Sequence, residues 1–455
     1  MSTLDDAKVY RQAMVWFKQA EAMIGTPKEN SDEQAELFLK AIQIKPDFLE
    51  AHYDLGLIYA NQKKMKLAVA EFETVLKLEP EFEGIHWLLA SAYQELGDPA
   101  AAAAALEAGL QRKPRDPKML RALAYVQFQR REDAAAMRAL EQYLEIEPED
   151  AAARMDLALL YQRNDAFEKA ALSYEEVLRA NPVNFAAHLN LALIYIRQKK
   201  NAEAAKELEA ANQVQPGNAE VLERLGDVYA FEQRHGEAAA AYKAALEKAP
   251  ERGGALYAKL GFSLASLKKT EAAVAALESA ARLNPKNPDV YFLLGDLYGD
   301  LKRPDDAVAA YLKSLEISPD QMDVHYNLGT LYAEQSQLKE ALAELKEAVR
   351  LDPDYAPAWS NLALVAEKLE LDAEAIQAHE KLIALGKGQA LNYFHVGVLY
   401  AKANQPDPAI AALTRAIELE PDKYRSVLRE ELKKVHSVLD SIRYKPDFTR
   451  LLGSD

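Results

Sequence analysis

Residues 52–60 read HYDLGLIYA and residues 325–333 read HYNLGTLYA. Each is followed by the same kind of second half, AVAEFETVLKLEP over 68–80 and ALAELKEAVRLDP over 341–353. In both, a small residue (Gly56, Gly329) follows a leucine (Leu55, Leu328) and stands three before a tyrosine (Tyr59, Tyr332). An alanine comes nine residues later (Ala68, Ala341), then a bulky apolar residue four further on (Phe72, Leu345). Spacings of three and four gather each group on one face of a helix, so each segment reads as two helices.

Proline supplies the ruler, because it punctuates helices. Eleven of the twenty prolines fall on one ladder: Pro46, Pro80, Pro114, Pro148, Pro182, Pro216, Pro250, Pro285, Pro319, Pro353 and Pro421. The steps are 34 residues six times, then 35, then 34 twice, then 68. The missing rung falls at Lys387, inside Leu385-Gly386-Lys387-Gly388, where glycine supplies the break. A 34-residue helix–turn–helix period is the tetratricopeptide length.

The chain thus resembles the tetratricopeptide repeat (TPR) family at repeat positions 4, 7, 8, 11, 20, 24, 27 and 32. On that register twelve repeats start at residues 15, 49, 83, 117, 151, 185, 219, 254, 288, 322, 356 and 390. Position 8 is glycine or alanine in repeats 2–12, and position 20 is alanine in all eleven. Small residues there let the two helices of a pair approach closely, and a larger one would overpack the contact at a cost of roughly 1–3 kcal/mol. Repeat 1 is degenerate, with Gln34 at position 20 and the loop GTPKENSD between its helices. The resemblance covers about nine-tenths of the chain. It implies an all-α, right-handed solenoid superhelix in which each repeat is stabilised by stacking on its neighbours.

The expected organisation is an N-terminal helix pair over 1–48, eleven tandem repeats over 49–423, and a capping helix with a short tail over 424–455. Residues 424–442 carry an apolar stripe of Leu428, Leu432, Val435, Leu439 and Ile442, which predicts one last amphipathic helix on repeat 12. The stretch DSIRYKPDFTRLL is similar to a tail found after many bacterial TPR arrays. In that tail Pro446 opens a helical turn and Phe448 and Leu451 dock.

Bulk properties narrow the function. The 455 residues carry a formal charge of −16, which disfavours phosphate backbones and anionic lipid as partners. There is no cysteine, hence no disulfide or thiolate chemistry, which fits a reducing compartment. The start, MSTLDDAKVYRQAMVWF, lacks the pattern of a signal peptide, and no window of the sequence is apolar enough to span a membrane. A soluble, cytoplasmic protein is expected, and the alanine-rich composition looks bacterial.

No catalytic signature fits. Phosphate-loop, dinucleotide and zinc-protease motifs are missing. Gly386-Lys387-Gly388 lacks the preceding glycine of a phosphate loop, and Ser266-Leu267-Lys268-Lys269 is a turn between two helices of one repeat. An enzyme is therefore not expected, nor a cofactor. Four histidines (His52, His86, His188, His325) share position 4 and His379 holds position 24. Equivalent positions of stacked repeats lie about 8–10 Å apart, too far to share one ion, so these read as packing residues and no metal is expected.

The resemblance places the concave groove mainly at positions 2, 5, 9, 12 and 13 of each first helix. In repeats 2–6 these include Tyr53, Trp87, Tyr125 and Phe128 with Arg121, Arg163 and Arg197; Asn190 stands at position 6. In repeats 7–10 they include Glu223, Asp227, Asp289, Phe292, Asp296, Asp300, Asp323 and Tyr326, with Asn327 at position 6. An aromatic, partly basic half is thus expected, then an acidic half. Neither the lysine–asparagine clamp for chaperone tails nor an asparagine ladder is present, since only Asn190, Asn327 and Asn361 occupy position 6. The expected function is a scaffold that takes a peptide or helix of another protein in the groove, with no nucleic acid and no membrane insertion. The alternative is a self-associating assembly protein.

Overall fold

A computed structural model of the chain describes residues 3–434 and 436–453. Among the described residues, twenty-four helices form twelve consecutive pairs, from Thr3–Glu21 with Asp32–Ile44 to Ala390–Lys402 with Pro406–Leu419, and two more follow, Pro421–Leu432 and Pro446–Leu452. No strand occurs among the described residues. The fold is an all-α tandem repeat. Two compact units divide between Pro216 and Gly217, at one rung of the proline ladder. The first holds repeats 1–6 and the second holds repeats 7–12 with the residues after them.

The first helix of each pair is called A and the second B. Caps set many of the A-helix starts: the side chains of Asp116, Asp150, Asn184, Asn218 and Asn287 accept backbone N–H groups of the first turn. The turn from A to B has one conformation throughout repeats 2–12. Its position 15 has a positive φ in Lys63, Gly97, Arg131, Asp165, Lys199, Gln233, Lys268, Lys302, Ser336, Glu370 and Asn404. Only Gly97 adopts this left-handed geometry without the Cβ penalty, so at ten junctions packing holds a residue that would not choose it alone.

The core lies where A meets B. Every position-20 alanine of repeats 2–12 is fully buried. A Cβ on Gly226 would fall 2.4 Å from the Tyr242 ring, and one on Gly295 would fall 2.4 Å from the Tyr311 ring. Position 8 is therefore small because the position-24 side chain already fills the space. In repeat 1 the buried Gln34 replaces that alanine without an unmet bond: its Nε2 donates to the Ala20 carbonyl at 2.9 Å and its Oε1 accepts from Asn30 N–H at 2.7 Å.

The histidines at position 4 latch repeats together. His52, His188 and His325 each contact the carbonyl of the preceding ladder proline (Pro46, Pro182, Pro319) through Nε2 and a glutamate of their own helix B (Glu71, Glu207, Glu344) through Nδ1. Trp359 and Arg154 reach Pro353 and Pro148 from the same position. These side chains are buried or half-buried, and His86 is the exception with a buried Nε2 that has no hydrogen-bond partner.

The single helix expected over 424–442 is not what forms. The helix runs Pro421–Leu432 and stops, and turns occupy 438–444. Arg443 reaches back to take the carbonyls of Leu432 and Lys434, while the Asp440 carboxylate accepts the Ser437 N–H and the Ser437 hydroxyl accepts the Leu439 N–H. Leu428, Leu439 and Ile442 are still fully buried, together with Phe448, in one cluster on repeat 12. Val435 lies outside the described residues. In Pro446–Leu452 the side chains of Phe448 and Leu452 are buried, and Leu451, half-buried, packs against the same cluster.

Candidate functional site

Within the first unit, the A helices of repeats 3–5 (Ile85–Glu95, Pro117–Gln129, Ala151–Arg163) line a concavity of about 920 Å3. Trp87, Arg121, Tyr125, Phe128, Tyr143 and Leu159 are among its walls. Trp87 is 44% exposed, Tyr125 57%, Phe128 47% and Leu159 43%. Large apolar side chains clustered and wetted in this way are a feature of binding surfaces, since folding alone would bury them. A second hollow of about 540 Å3 shares Phe128 and Leu159 and continues over Arg163, Phe167, Leu193 and Arg197. The expected residues Trp87, Arg121, Tyr125 and Phe128 thus share one hollow, and Arg163 and Arg197 line the next.

The arginines there are already engaged. Arg121 pairs with Asp156 at 2.6 Å, Arg163 with Asp133, and Arg197 with Asp165 at 3.3 Å. Arg163 also lies over the Phe128 ring, 4.8 Å from its centre, and Arg197 over Phe167 at 4.5 Å. They stiffen the aromatic wall and lend it positive edges. Two expected residues stand apart from the hollows: Tyr53 packs on Phe82 with ring centres 4.9 Å apart, and Asn190 lies by the buried Tyr174 hydroxyl.

In the second unit the acidic surface is shorter than the sequence implied. Lys259 of repeat 8 reaches both Glu223 and Asp227, and Arg252 at the end of repeat 7 also holds Glu223, so the acids of repeat 7 are neutralised by nearby basic residues. The surplus negative charge falls in repeats 9 and 10. Asp296 accepts from the Tyr311 hydroxyl at 2.5 Å and from Asn327 at 3.0 Å. Burial raises its pKa, the Tyr311 and Asn327 bonds oppose that, and the charges of Asp300 and Asp323 add to the rise. Phe292 lies 6.2 Å from the Tyr311 ring, and Tyr326 packs edge-on against Tyr355 at 5.1 Å. Asp289 is exposed in the first turn of its helix.

Tetratricopeptide repeat models match residues 61–125, 155–213, 200–253, 259–321, 310–343 and 390–423, and a further TPR repeat model matches 329–370. The chain belongs to the tetratricopeptide repeat family. No curated protein matches it. Among solved structures it is similar to YrrB, a TPR protein with an unusual peptide-binding site, at 24% identity and a TM-score of 0.38, over 44% of this chain and 99% of that one. It is also similar to Naa15/Naa10 bound to HypK-THB, at 17% identity and a TM-score of 0.44, over 90% and 68%. MamA from Desulfovibrio magneticus RS-1 gives 19% and 0.36, over 38% and 96%.

One TPR junction carries a cluster that the sequence reading did not single out. Glu367 Oε1 lies 2.8 Å from His379 Nε2 and 2.8 Å from His395 Nδ1. Burial opposes ionisation of Glu367, but the bonds from both histidines outweigh it and hold its carboxyl at about 2. The residues are far apart in sequence, yet the TPR frame has a signal for them. They occupy position 12, position 24, and position 6 of the next repeat. Tyr174 in the same frame donates to Gln162 at 3.0 Å and lies by Asn190.

Proposed function

We propose that this TPR protein is an interaction scaffold that takes a segment of a partner protein, extended or helical, along the A helices of repeats 3–6. The exposed cluster of Trp87, Tyr125 and Phe128 around one hollow carries the reading. In this account the aromatics anchor apolar side chains, and Leu159 and Leu193 extend the apolar floor. Arg121, Arg163 and Arg197 already have carboxylate partners, so they position the rings and supply hydrogen bonds at the rim. A separate acidic surface at Asp296, Asp300 and Asp323, flanked by Asp289 and Tyr326, favours a basic stretch. The repeats 49–423 then carry recognition, and 1–48 and 424–455 cap them. No catalytic role, cofactor or nucleic acid enters this reading. No helix among the described residues is long and apolar enough to cross a membrane, and a cytoplasmic setting fits the lack of cysteine.

The test is affinity capture with the wild-type chain and with a Trp87→Ala/Tyr125→Ala/Phe128→Ala variant of equal helicity. A defined protein retained by the first and lost from the second supports the groove. If both retain only further copies of this chain, self-assembly replaces recognition as the function.

A further inference from the structure

Three helices of the second unit converge where the proline ladder is broken. Helix A of repeat 11 (Ala356–Lys368) carries Glu367, its helix B (Asp372–Leu382) carries His379, and helix A of repeat 12 (Ala390–Lys402) carries His395. Between the last two the chain makes a widened helical turn over Ile383–Lys387, with Gly386 at φ 68°. One carboxylate oxygen and one nitrogen from each ring all lie within 4.8 Å of one another. The two rings stack with centres 5.1 Å apart and planes 19° apart. His379 is buried, while about a third of the His395 side chain and a quarter of that of Glu367 reach solvent.

We propose that Glu367, His379 and His395 form a binding site for one divalent transition-metal ion of the zinc class. Equivalent positions of stacked repeats are too far apart to share an ion, which is why no metal is expected from the sequence; these three positions are not equivalent, and they converge. Two imidazole nitrogens and one carboxylate oxygen are a donor set suited to zinc and its neighbours rather than to magnesium or calcium. Ligand atoms of a tetrahedral zinc site stand about 3.3 Å apart, so the two 2.8 Å contacts need to open by about half an ångström and the two ring nitrogens, within 4.8 Å of each other, to settle at that same spacing. The solvent-facing side of His395 leaves room for water in the remaining position. An ion here would tie three helices together at the junction that lacks its proline.

Asn392 sets a condition on the site. Its Oδ1 accepts the Gln389 N–H at 3.1 Å, so its Nδ2 faces His379 Nδ1 at 3.2 Å. A neutral imidazole bound to metal through Nε2 carries its proton on Nδ1 and needs an acceptor there. Metal binding must therefore turn the Asn392 amide over and give up the bond to Gln389. An aspartate at 392 could accept from both groups without turning.

The experiment titrates the full chain with zinc chloride by calorimetry and with cobalt(II) by visible absorption, for wild type, His395→Gln and Asn392→Asp. Helicity of each is matched beforehand. Expected are one ion per chain, a rise in thermal midpoint with zinc, affinity at least about 10-fold weaker in His395→Gln, and affinity about 10-fold tighter in Asn392→Asp. The gain in the last variant cannot arise from misfolding. The proposal is overturned by a lack of stoichiometric binding, or by affinity that His395→Gln leaves unchanged. Affinity unchanged or weakened in Asn392→Asp removes His379 as a ligand and overturns the three-residue site.

Discussion

The Tyr161 hydroxyl donates a 2.5 Å hydrogen bond to Glu141, twenty residues earlier on helix B of the preceding repeat. Four other junctions repeat the same bond: Tyr93 to Glu73, Tyr195 to Glu175, Tyr298 to Glu278 and Tyr400 to Glu380. Each joins position 11 of one repeat to position 25 of the one before. Burial and then the carboxylate push the Tyr161 pKa up, so the phenol remains a donor throughout the physiological range. A tyrosine at position 11 thus fills the groove between repeats with its ring and fixes their register with its tip.

Replacing Tyr161 by phenylalanine keeps the ring and removes only the donor. The expected loss is about 1.5–3 kcal/mol, the range for a hydrogen bond to a charged acceptor. It should appear as a lower denaturant midpoint with an unchanged slope. No change in midpoint would mean that water replaces the phenol at no cost.

Two glycines in A helices of the second unit should respond with opposite signs to the same substitution. A Cβ on Gly226 would meet the Tyr242 ring, which is buried and tied by its hydroxyl to Asp227 at 2.8 Å. That ring cannot yield cheaply, so Gly226→Ala should cost about 1–3 kcal/mol. Nothing lies within 4 Å of a Cβ on Gly299, and alanine there should add up to about 1 kcal/mol through helix propensity. Thermal midpoints of the two variants should move in opposite directions.

The contrast shows what the sequence could carry. Gly226 and Gly295 were legible as packing positions because the period assigned them to position 8, and their contacts follow from that assignment. Trp87, Tyr125 and Phe128 were legible as groove candidates for the same reason. The ion pairs of Arg121 with Asp156 and Lys259 with Asp227 were not, because each joins adjacent repeats through flexible side chains that no period constrains. The helix break after Leu432 was equally hidden. The stripe Leu428, Leu432, Leu439 and Ile442 has helical spacing, and it is the capping by Arg443 and the Ser437–Asp440 bond that separate the turn from a continuous helix.

Asp54 predicts an inverted pH dependence. Burial, then the charges of Glu21 and Glu50, raise its pKa from 3.8 to about 6. A carboxyl whose folded pKa is raised binds more protons in the folded state than in the unfolded between those values. Its contribution is therefore present below 3.8 and is lost as pH rises through about 6. Asp54→Asn should stabilise the fold at pH 7.5 by about 1 kcal/mol once screening is allowed for, seen as a higher thermal midpoint, and have almost no effect at pH 4. A benefit that is equal at both pH values would assign the effect to packing instead.

Phe448 anchors the tail to the repeats. Seven residues, Pro446–Leu452, are too few to hold a helix alone, so docking on the last repeat supplies its order. Phe448 is fully buried there, and the guanidinium groups of Arg425 and Arg429 take the carbonyls of Leu451 and Leu452 at 3.2 and 2.7 Å. Deleting a buried phenylalanine ring from a rigid core costs about 3–5 kcal/mol. A terminal segment can undock instead, which limits the loss to the free energy of docking. Phe448→Ala should therefore speed amide exchange over 446–452 by at least about 10-fold and leave helix Ala151–Arg163 unchanged. Exchange that rises equally in both places would mean that the tail is part of one cooperative unit with the repeats, and that its removal would unfold them.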